Sequence, residues 1–332
     1  MVLIESYNVA VVLLVISMLC WGSWANTQKL ASREWAFPLF YWDYTIGLVL
    51  LSLLFALTLG STGEEGRPFL EDLSQASSGA LFSAFLGGVI FNIANLLVVA
   101  AIDIAGMAIA FPIAIGLALV LGVIINYLGE AKGDPLLLTI GVALVTLAIV
   151  LNAFAYRRAS RDKPATSTKG ILISVIAGII MGFFYRFVAD SLVIDFANPE
   201  AGKLTPYTAV FIFSVGVFLS NFLWNTFFMY RPVSGQPVTY ADYFNKGNMR
   251  LHAIGVLGGV IWCLGMFFSI LASDLAGPAI SYGLSQGATM VAAAWGVFVW
   301  REFRGAPRGT NQLIFLMFLF FIIGLGVIIV AR

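Results

Sequence analysis

The sequence predicts an all-α integral membrane protein whose ten transmembrane helices form two inverted five-helix repeats. Composition is the first observation. Of 332 residues, 60% are hydrophobic and only 11% are charged, too few charges to cover a water-soluble surface of this size. The second is a run of apolar segments, each near the roughly 20 residues that cross a bilayer: 7–27, 38–60, 79–102, 106–129, 135–156, 169–189, 206–229, 251–272, 277–300 and 311–331. The third is a repeat. At a constant offset of 171, 87–116 aligns without a gap on 258–287, matching Gly-Gly-Val-Ile, Ala101/Ala272, Asp103/Asp274, Ala105-Gly106/Ala276-Gly277, Ala108-Ile109/Ala279-Ile280 and Gly116/Gly287. Self-similarity in an apolar chain is the ground plan of a secondary transporter.

The segment boundaries carry ordinary punctuation: Pro38, Asp134-Pro135, Thr205-Pro206, Gly277-Pro278 and a Gly/Arg run at 304–309. The joints at 103–105 and 273–276 are so short that each copy of the repeat reads as a tight helical hairpin. Glu5 precedes the first apolar run with no Lys or Arg before it, which reads as a retained first span. Cys20 and Cys263 lie within apolar runs and read as packing residues.

Loop charge sets the orientation. With both termini outside, the inner loops and their flanks carry 13 of the 18 basic residues: Lys29, Arg33, Arg157, Arg158, Arg161, Lys163, Lys169, Arg231, Lys246, Arg250, Arg301, Arg304 and Arg308. Arg67, Lys132, Arg186, Lys203 and Arg332 fall outside, beside the acidic Glu64, Glu65, Glu71 and Asp72. Five spans per half is an odd number, so equivalent helices cross in opposite senses. The halves are 1–156 and 169–332, joined by a cytoplasmic linker at 157–168. The expected location is a bacterial inner (plasma) membrane.

Short motifs then point to a family. Trp21-Gly22-Ser23-Trp24 in the first span is similar to the start of the glucose/ribose porters, and Leu284-Ser285-Gln286 resembles an element of the same group. Tyr41-Trp42-Asp43-Tyr44-Thr45, then Ala56-Leu57-Thr58-Leu59-Gly60 and Leu73-Ser74-Gln75, resemble the plant ureide permeases. Glu130 and Glu302 resemble the acid that closes the fourth and ninth helices across the drug/metabolite transporter superfamily, which embraces both groups. The resemblance implies a permease. One departure is clear: plant ureide permeases carry a long central loop with a nucleotide-binding-like sequence, whereas 157–168 is short and has no GxxxxGK[ST].

Polar groups inside hydrocarbon are costly, so each is a functional candidate weighed against packing. Asn92 and Asn95 share a face of the third span, as amides for a neutral solute or as glue between helices. Tyr282, Ser285 and Gln286 fall at i, i+3, i+4 of the ninth span, opposite Phe111 in the fourth. Pro112 and Gly283 coincide in the repeat and mark the expected hinges. Trp21, Trp24 and Tyr185 could face a sugar ring or flat heterocycle, with an interfacial belt as the alternative for the tryptophans. Asp43, early in the second span, is the candidate for proton coupling, with Lys29 and Arg33 as neutralising partners in the alternative. Glu5 is its weaker counterpart at the outer edge. Asp103 and Asp274 read as caps of the following helices or as gates, one at each face. Glu130 and Glu302 read as interfacial anchors paired with Lys132, Arg301 or Arg304. His252, the sole histidine, is weak evidence for a relay.

No HExxH, GxSxG or CxxC motif is present, so neither an enzyme, a metal site nor a cofactor is read. The net charge of +1 gives no reason to expect nucleic acid. The expected partners are a small solute, the bilayer and a coupling proton. Neutral amides, hydroxyls and aromatics point to proton-coupled uptake of a monosaccharide or nucleoside by alternating access. A ureide or nucleobase permease is the alternative, followed by a multidrug or metabolite exporter.

Overall fold

A computed structural model describes the chain except Arg33, residues 160–166 and Ser234, with only the backbone described at Met107 and Ala108. Arg161 and Lys163, counted above among the basic residues, lie with Arg33 outside the described residues. The fold is all-helical: α1 (Tyr7–Ser23), α2 (Ala25–Ala31), α3 (Phe37–Leu57), α4 (Phe69–Gln75), α5 (Ser78–Ala105), α6 (Met107–Gly129), α7 (Pro135–Ala159), α8 (Thr168–Ser191), α9 (Pro206–Tyr230), α10 (Tyr240–Lys246), α11 (Met249–Ala276), α12 (Pro278–Ser285), α13 (Ala288–Ala294), a π-helical turn (Trp295–Val299) and α14 (Thr310–Val330).

Nine helices among the described residues are long and apolar enough to cross a membrane, with α1 and α2 counted as one. The predicted ninth span is missing from that set because it is broken. It runs as α12, α13 and the π-turn, with turns at Gln286 and Gly287. Local chemistry fixes most starts. The Ser77, Ser167 and Asn248 side chains accept from the backbone N–H groups of Ala80, Gly170 and Leu251. Pro38, Pro206 and Pro278 occupy first-turn positions, where the missing N–H has no helical partner to lose.

The helix neighbours come in matched pairs when each span is exchanged with the one five later. Helix α5 packs on α8 as α11 packs on α1, and α5 packs on α9 as α11 packs on α3. Glycines from the repeat lie at these crossings. A Cβ on Gly88 would overlap the Phe213 carbonyl, and one on Gly259 would overlap the Tyr44 carbonyl. Small residues there let the backbones touch.

The two hairpin turns are single glycines, Gly106 at φ 79° and Gly277 at φ 80°, a conformation that a side chain would oppose. This corrects the cap reading of Asp103 and Asp274. Both lie in the last turn of the preceding helix, and the N-cap positions of α6 and α12 are Gly106 and Gly277, without a side-chain cap.

Candidate functional site

A vestibule of about 380 Å³ opens between α2, α6, α7 and the broken ninth span. Its mouth lies at Lys29, Ser32 and Glu302, on the side of the basic loops, and its inner end reaches Gly22, Phe111 and Thr289. The π-turn places both Trp295 and Trp300 on its wall, in keeping with the frequent use of π-turns at functional sites. The Trp295 Nε1–H donates to Ser23 Oγ at 2.9 Å, and the Trp300 Nε1–H to Asn26 Oδ1 at 2.6 Å. Glu302 closes the mouth. It meets Lys29 at 2.5 Å and accepts from the Tyr156 hydroxyl at 2.6 Å, and Lys29 also lies 4.3 Å from the centre of the Trp300 ring. The lining's one carboxylate and one ammonium thus neutralise each other.

Beyond Thr289, one helical turn deeper, the path is blocked by buried hydroxyls. Ser17 donates to Ser285 and Ser285 to Ser269, both at 3.1 Å. The Tyr185 hydroxyl donates to the Ser269 carbonyl at 3.1 Å, and that of Tyr282 to the Ala118 carbonyl at 3.1 Å. Helices α1, α6, α8, α11 and α12 are thereby tied together. The vestibule opens toward the face carrying Lys29 and Glu302 and ends at these hydroxyls, while a separate cavity of about 300 Å³ at the opposite end is lined by Glu130, Arg186, Asp190 and Asp274.

Of the residues singled out in the sequence, Phe111 and Pro112 line the vestibule. Tyr185, Tyr282 and Ser285 form its closed floor, and Gln286 sits at the break between α12 and α13. Trp21 and Trp24 face the protein rather than a membrane belt. Trp21 stacks on Trp262, its repeat-side neighbour, with centroids 5.4 Å apart, and Trp24 packs on Tyr44 at 4.9 Å. Asn92 reaches α9, donating to the Val217 carbonyl at 3.1 Å and Ser220 Oγ at 2.9 Å, and Asn95 donates to the Tyr41 hydroxyl at 3.1 Å. Both amides bridge helices, away from the vestibule lining. Gly283 stays inside α12, and Pro112 inside α6. The break falls three to four residues later than expected, at Gln286 and Gly287.

Asp43 occupies a different setting from the one anticipated. Its side chain is 2% exposed, and Lys29 is engaged by Glu302 instead. Glu302 in turn pairs with Lys29, where Arg301 or Arg304 was expected. Asp43 Oδ1 faces His252 Nδ1 at 2.9 Å and accepts from the Tyr243 hydroxyl at 2.5 Å, while Oδ2 accepts from the Trp35 Nε1–H at 3.2 Å. Gly255 makes room, since a Cβ there would overlap that of Asp43. Tyr243 is delivered by α10, which begins with a capping box between Thr239 and Asp242. The Lys246 ammonium and the Thr239 N–H hold the Asp242 carboxyl down to about 2. Burial and the adjacent Asp43 push the Tyr243 phenol well above its usual range, so it remains the donor. Glu5 is exposed ahead of α1, at the opposite end of the first span.

Sequence reasoning took His252 only as weak evidence for a relay and passed over Tyr243, Trp35, Asn152, Tyr156, Trp295 and Trp300. Asn152 carried the same signal as Asn92, an amide within an apolar run. Two partners of Asp43, Tyr243 and His252, are 200 and 209 residues away in sequence, and no local pattern announces them.

A family model described as Ureide permease matches residues 40–170 and 155–331. The chain belongs to the ureide permease family. It is 25% identical to Ureide permease 1 of Arabidopsis thaliana across 100% of this chain and 99% of that protein, and 26% identical to Ureide permease 2 of the same plant with the same coverage. Probable ureide permease A3 of Vigna unguiculata is 23% identical over 93% of this chain and 99% of its own length. A solved crystal structure shares the fold with a TM-score of 0.60 at 15% identity, covering 97% of this chain and 96% of its own. The ureide permease side of the resemblance is therefore supported, and the glucose/ribose side has no support among these matches. Relatives from plants likewise give no support to a bacterial membrane. The two matched segments of the ureide permease model overlap at 155–170. The protein is a membrane transporter of small solutes, and members of its family are permeases rather than enzymes.

Proposed function

We propose that the chain is a permease for a ureide or nucleobase, in place of the monosaccharide or nucleoside first favoured. The observation that carries this reading is the vestibule wall: amides, hydroxyls and flat aromatic rings, with its single ion pair closed on itself. Such a wall suits a neutral planar ring with N–H and C=O edges. Among the described residues it offers no free cation for a phosphate or carboxylate. Family membership supports the same class.

The proposed mechanism is alternating access between halves 1–156 and 169–332, with 157–168 as linker and both termini outside. The matched helix neighbours support an inverted repeat. In the form described here the solute enters from the basic face and stops at the Ser17, Ser285 and Ser269 floor. Opening the other way would separate these hydroxyls and bring the α2 and α13 walls together. Uptake would be coupled to a proton at Asp43, with His252 as its immediate exchange partner.

The test is uptake of labelled allantoin, uracil, uridine, ribose and glucose by expressing cells, with and without a protonophore. Uptake of allantoin or uracil alone, lost with the protonophore, is expected. Uptake confined to ribose, glucose or uridine would overturn the substrate class, and resistance to apolar drugs without any uptake would favour an exporter.

A further inference from the structure

No residue of α10 is buried, and two phenols fasten the helix to the bundle. The Tyr240 hydroxyl meets Thr226 Oγ1 of α9 at 2.5 Å, and its ring lies 5.8 Å from that of Trp42 on α3. The Tyr243 hydroxyl donates to Asp43 of α3. Thr226 and Asp43 stand inside the ends of their spans by about 6–9 Å at the helical rise. A tyrosine side chain reaches about that far, so α10 lies level with the span ends, at the boundary between bilayer and water.

Tyr240, Tyr243 and Phe244 fall at i, i+3, i+4, one face of the helix, with Asp242, Asn245 and Lys246 around the rest. The bundle takes up the two tyrosines and leaves Phe244 76% exposed, and Met249 at the start of α11 is 84% exposed. Large apolar side chains at this level are unfavourable in water and favourable among acyl chains. The segment 231–250 also carries Arg231, Lys246 and Arg250 against one acid, Asp242. Lys246 pairs with Asp242 and Arg250 with Glu34, but both basic side chains are largely exposed, and such pairs exchange readily for phosphate. An apolar edge flanked by basic side chains matches an anionic leaflet.

We propose that α10 is a lipid-responsive cover, seated by Phe244 and Met249 in the leaflet on the basic side and by Arg231, Lys246 and Arg250 on its anionic headgroups. What it covers is His252. The Tyr243 ring lies 4.8 Å from the imidazole, and a Cβ on Gly247, which ends the helix, would overlap His252 Nε2. Lipid that seats α10 therefore shields His252 and the Asp43 carboxylate behind it, and α10 lifted from the interface exposes both.

His252 is the sole histidine, so its modification by diethyl pyrocarbonate reads the cover directly. The full-length protein is reconstituted in vesicles of phosphatidylcholine, alone or with phosphatidylglycerol, and the rate is followed by mass spectrometry. The wild type is expected to react at least about threefold more slowly with phosphatidylglycerol present. Two variants should lose this protection: Phe244→Asp combined with Met249→Asp, and Arg231→Gln combined with Lys246→Gln and Arg250→Gln. The glutamine variant should match the wild type in phosphatidylcholine alone, which separates lost lipid contact from an unfolded α10. High salt, which screens headgroup attraction, should remove the protection from the wild type without any substitution. Equal wild-type rates in the two lipids would overturn the proposal, as would protection that survives in either variant or in high salt. The readout needs no solute, so it stands apart from the substrate class and from the coupling role of Asp43.

Discussion

Replacing Gly259 by leucine is expected to prevent the bundle from assembling. The α-carbon of Gly259 lies against the Tyr44 carbonyl of α3, and a Cβ would overlap that oxygen. The obstacle is backbone, so no rotamer change relieves it and α11 would have to move off α3. Overpacked cores cost about 1–3 kcal/mol where side chains can yield, and this crossing should cost at least that. Gly88, the repeat equivalent, meets the Phe213 carbonyl of α9 in the same way, so Gly88→Leu should behave alike. Gly326 on α14 has open space around its Cβ position, and Gly326→Leu serves as the control. Thermal unfolding of the detergent-purified variants checks this. Loss of a monodisperse, cooperatively melting species is expected for both crossing variants and for neither control nor wild type. A Gly259→Leu protein that melts like wild type would remove the close crossing from the account.

The second large effect is expected at Asp43. Its carboxylate receives Tyr243, His252 and Trp35 in a buried pocket made by α3, α10, α11 and the segment after α2. Among the described residues, the other charges near this cluster stand in two pairs, Arg250 with Glu34 at 3.5 Å and Lys246 with Asp242 at 2.8 Å. Asp43→Asn keeps the shape but cannot release a proton. If Asp43 carries the coupled proton, the variant loses protonophore-sensitive uptake by at least about tenfold, a loss equivalent to about 1.4 kcal/mol. Exchange of labelled for unlabelled solute, which needs no net proton movement, should survive. His252→Gln should give a smaller loss and a shifted pH profile, since an amide can still hydrogen-bond the carboxylate. Full uptake with an unchanged pH profile in Asp43→Asn would exclude Asp43 as the coupling acid.

Much of the fold could be read from the chain itself. Spans and hairpins follow from apolar run lengths and from the repeat, because helix formation in lipid is dictated locally by backbone hydrogen bonding. Of the glycines shared by both copies, Gly88 and Gly259 lie at helix crossings and Gly106 and Gly277 at turns, while Gly116 stays helical with open space beside it. The break in the ninth span was displaced. Pro112 and Gly283 marked the expected hinges, but the chain turns at Gln286 and Gly287, whose equivalents Ile115 and Gly116 remain helical. A Cβ on Gly287 would overlap Met18 and Leu325, a tertiary contact with no local trace in the sequence.

The site was less legible for the same reason. Asn92 and Asn95 drew notice as two amides close together, yet their partners lie on α9 and α3 and they bridge helices. Tyr282 and Ser285 were grouped as candidates for one face, and their hydroxyls bond to Ala118 and Ser269 below the open cavity. His252 looked isolated until α11 was brought against α3.

The central claim is that solute occupies the vestibule and is stopped at the serine floor. Single cysteines at 289 and 285, in a background with Cys20 and Cys263 replaced by alanine, test it most directly. A membrane-impermeant thiol reagent is applied from the face carrying Lys29 and Glu302. Thr289→Cys is expected to react, lose uptake, and be protected by uracil, while Ser285→Cys stays unreacted without substrate. Equal reaction at both positions, or reaction of Thr289→Cys with uptake intact and no protection by solute, would contradict the account.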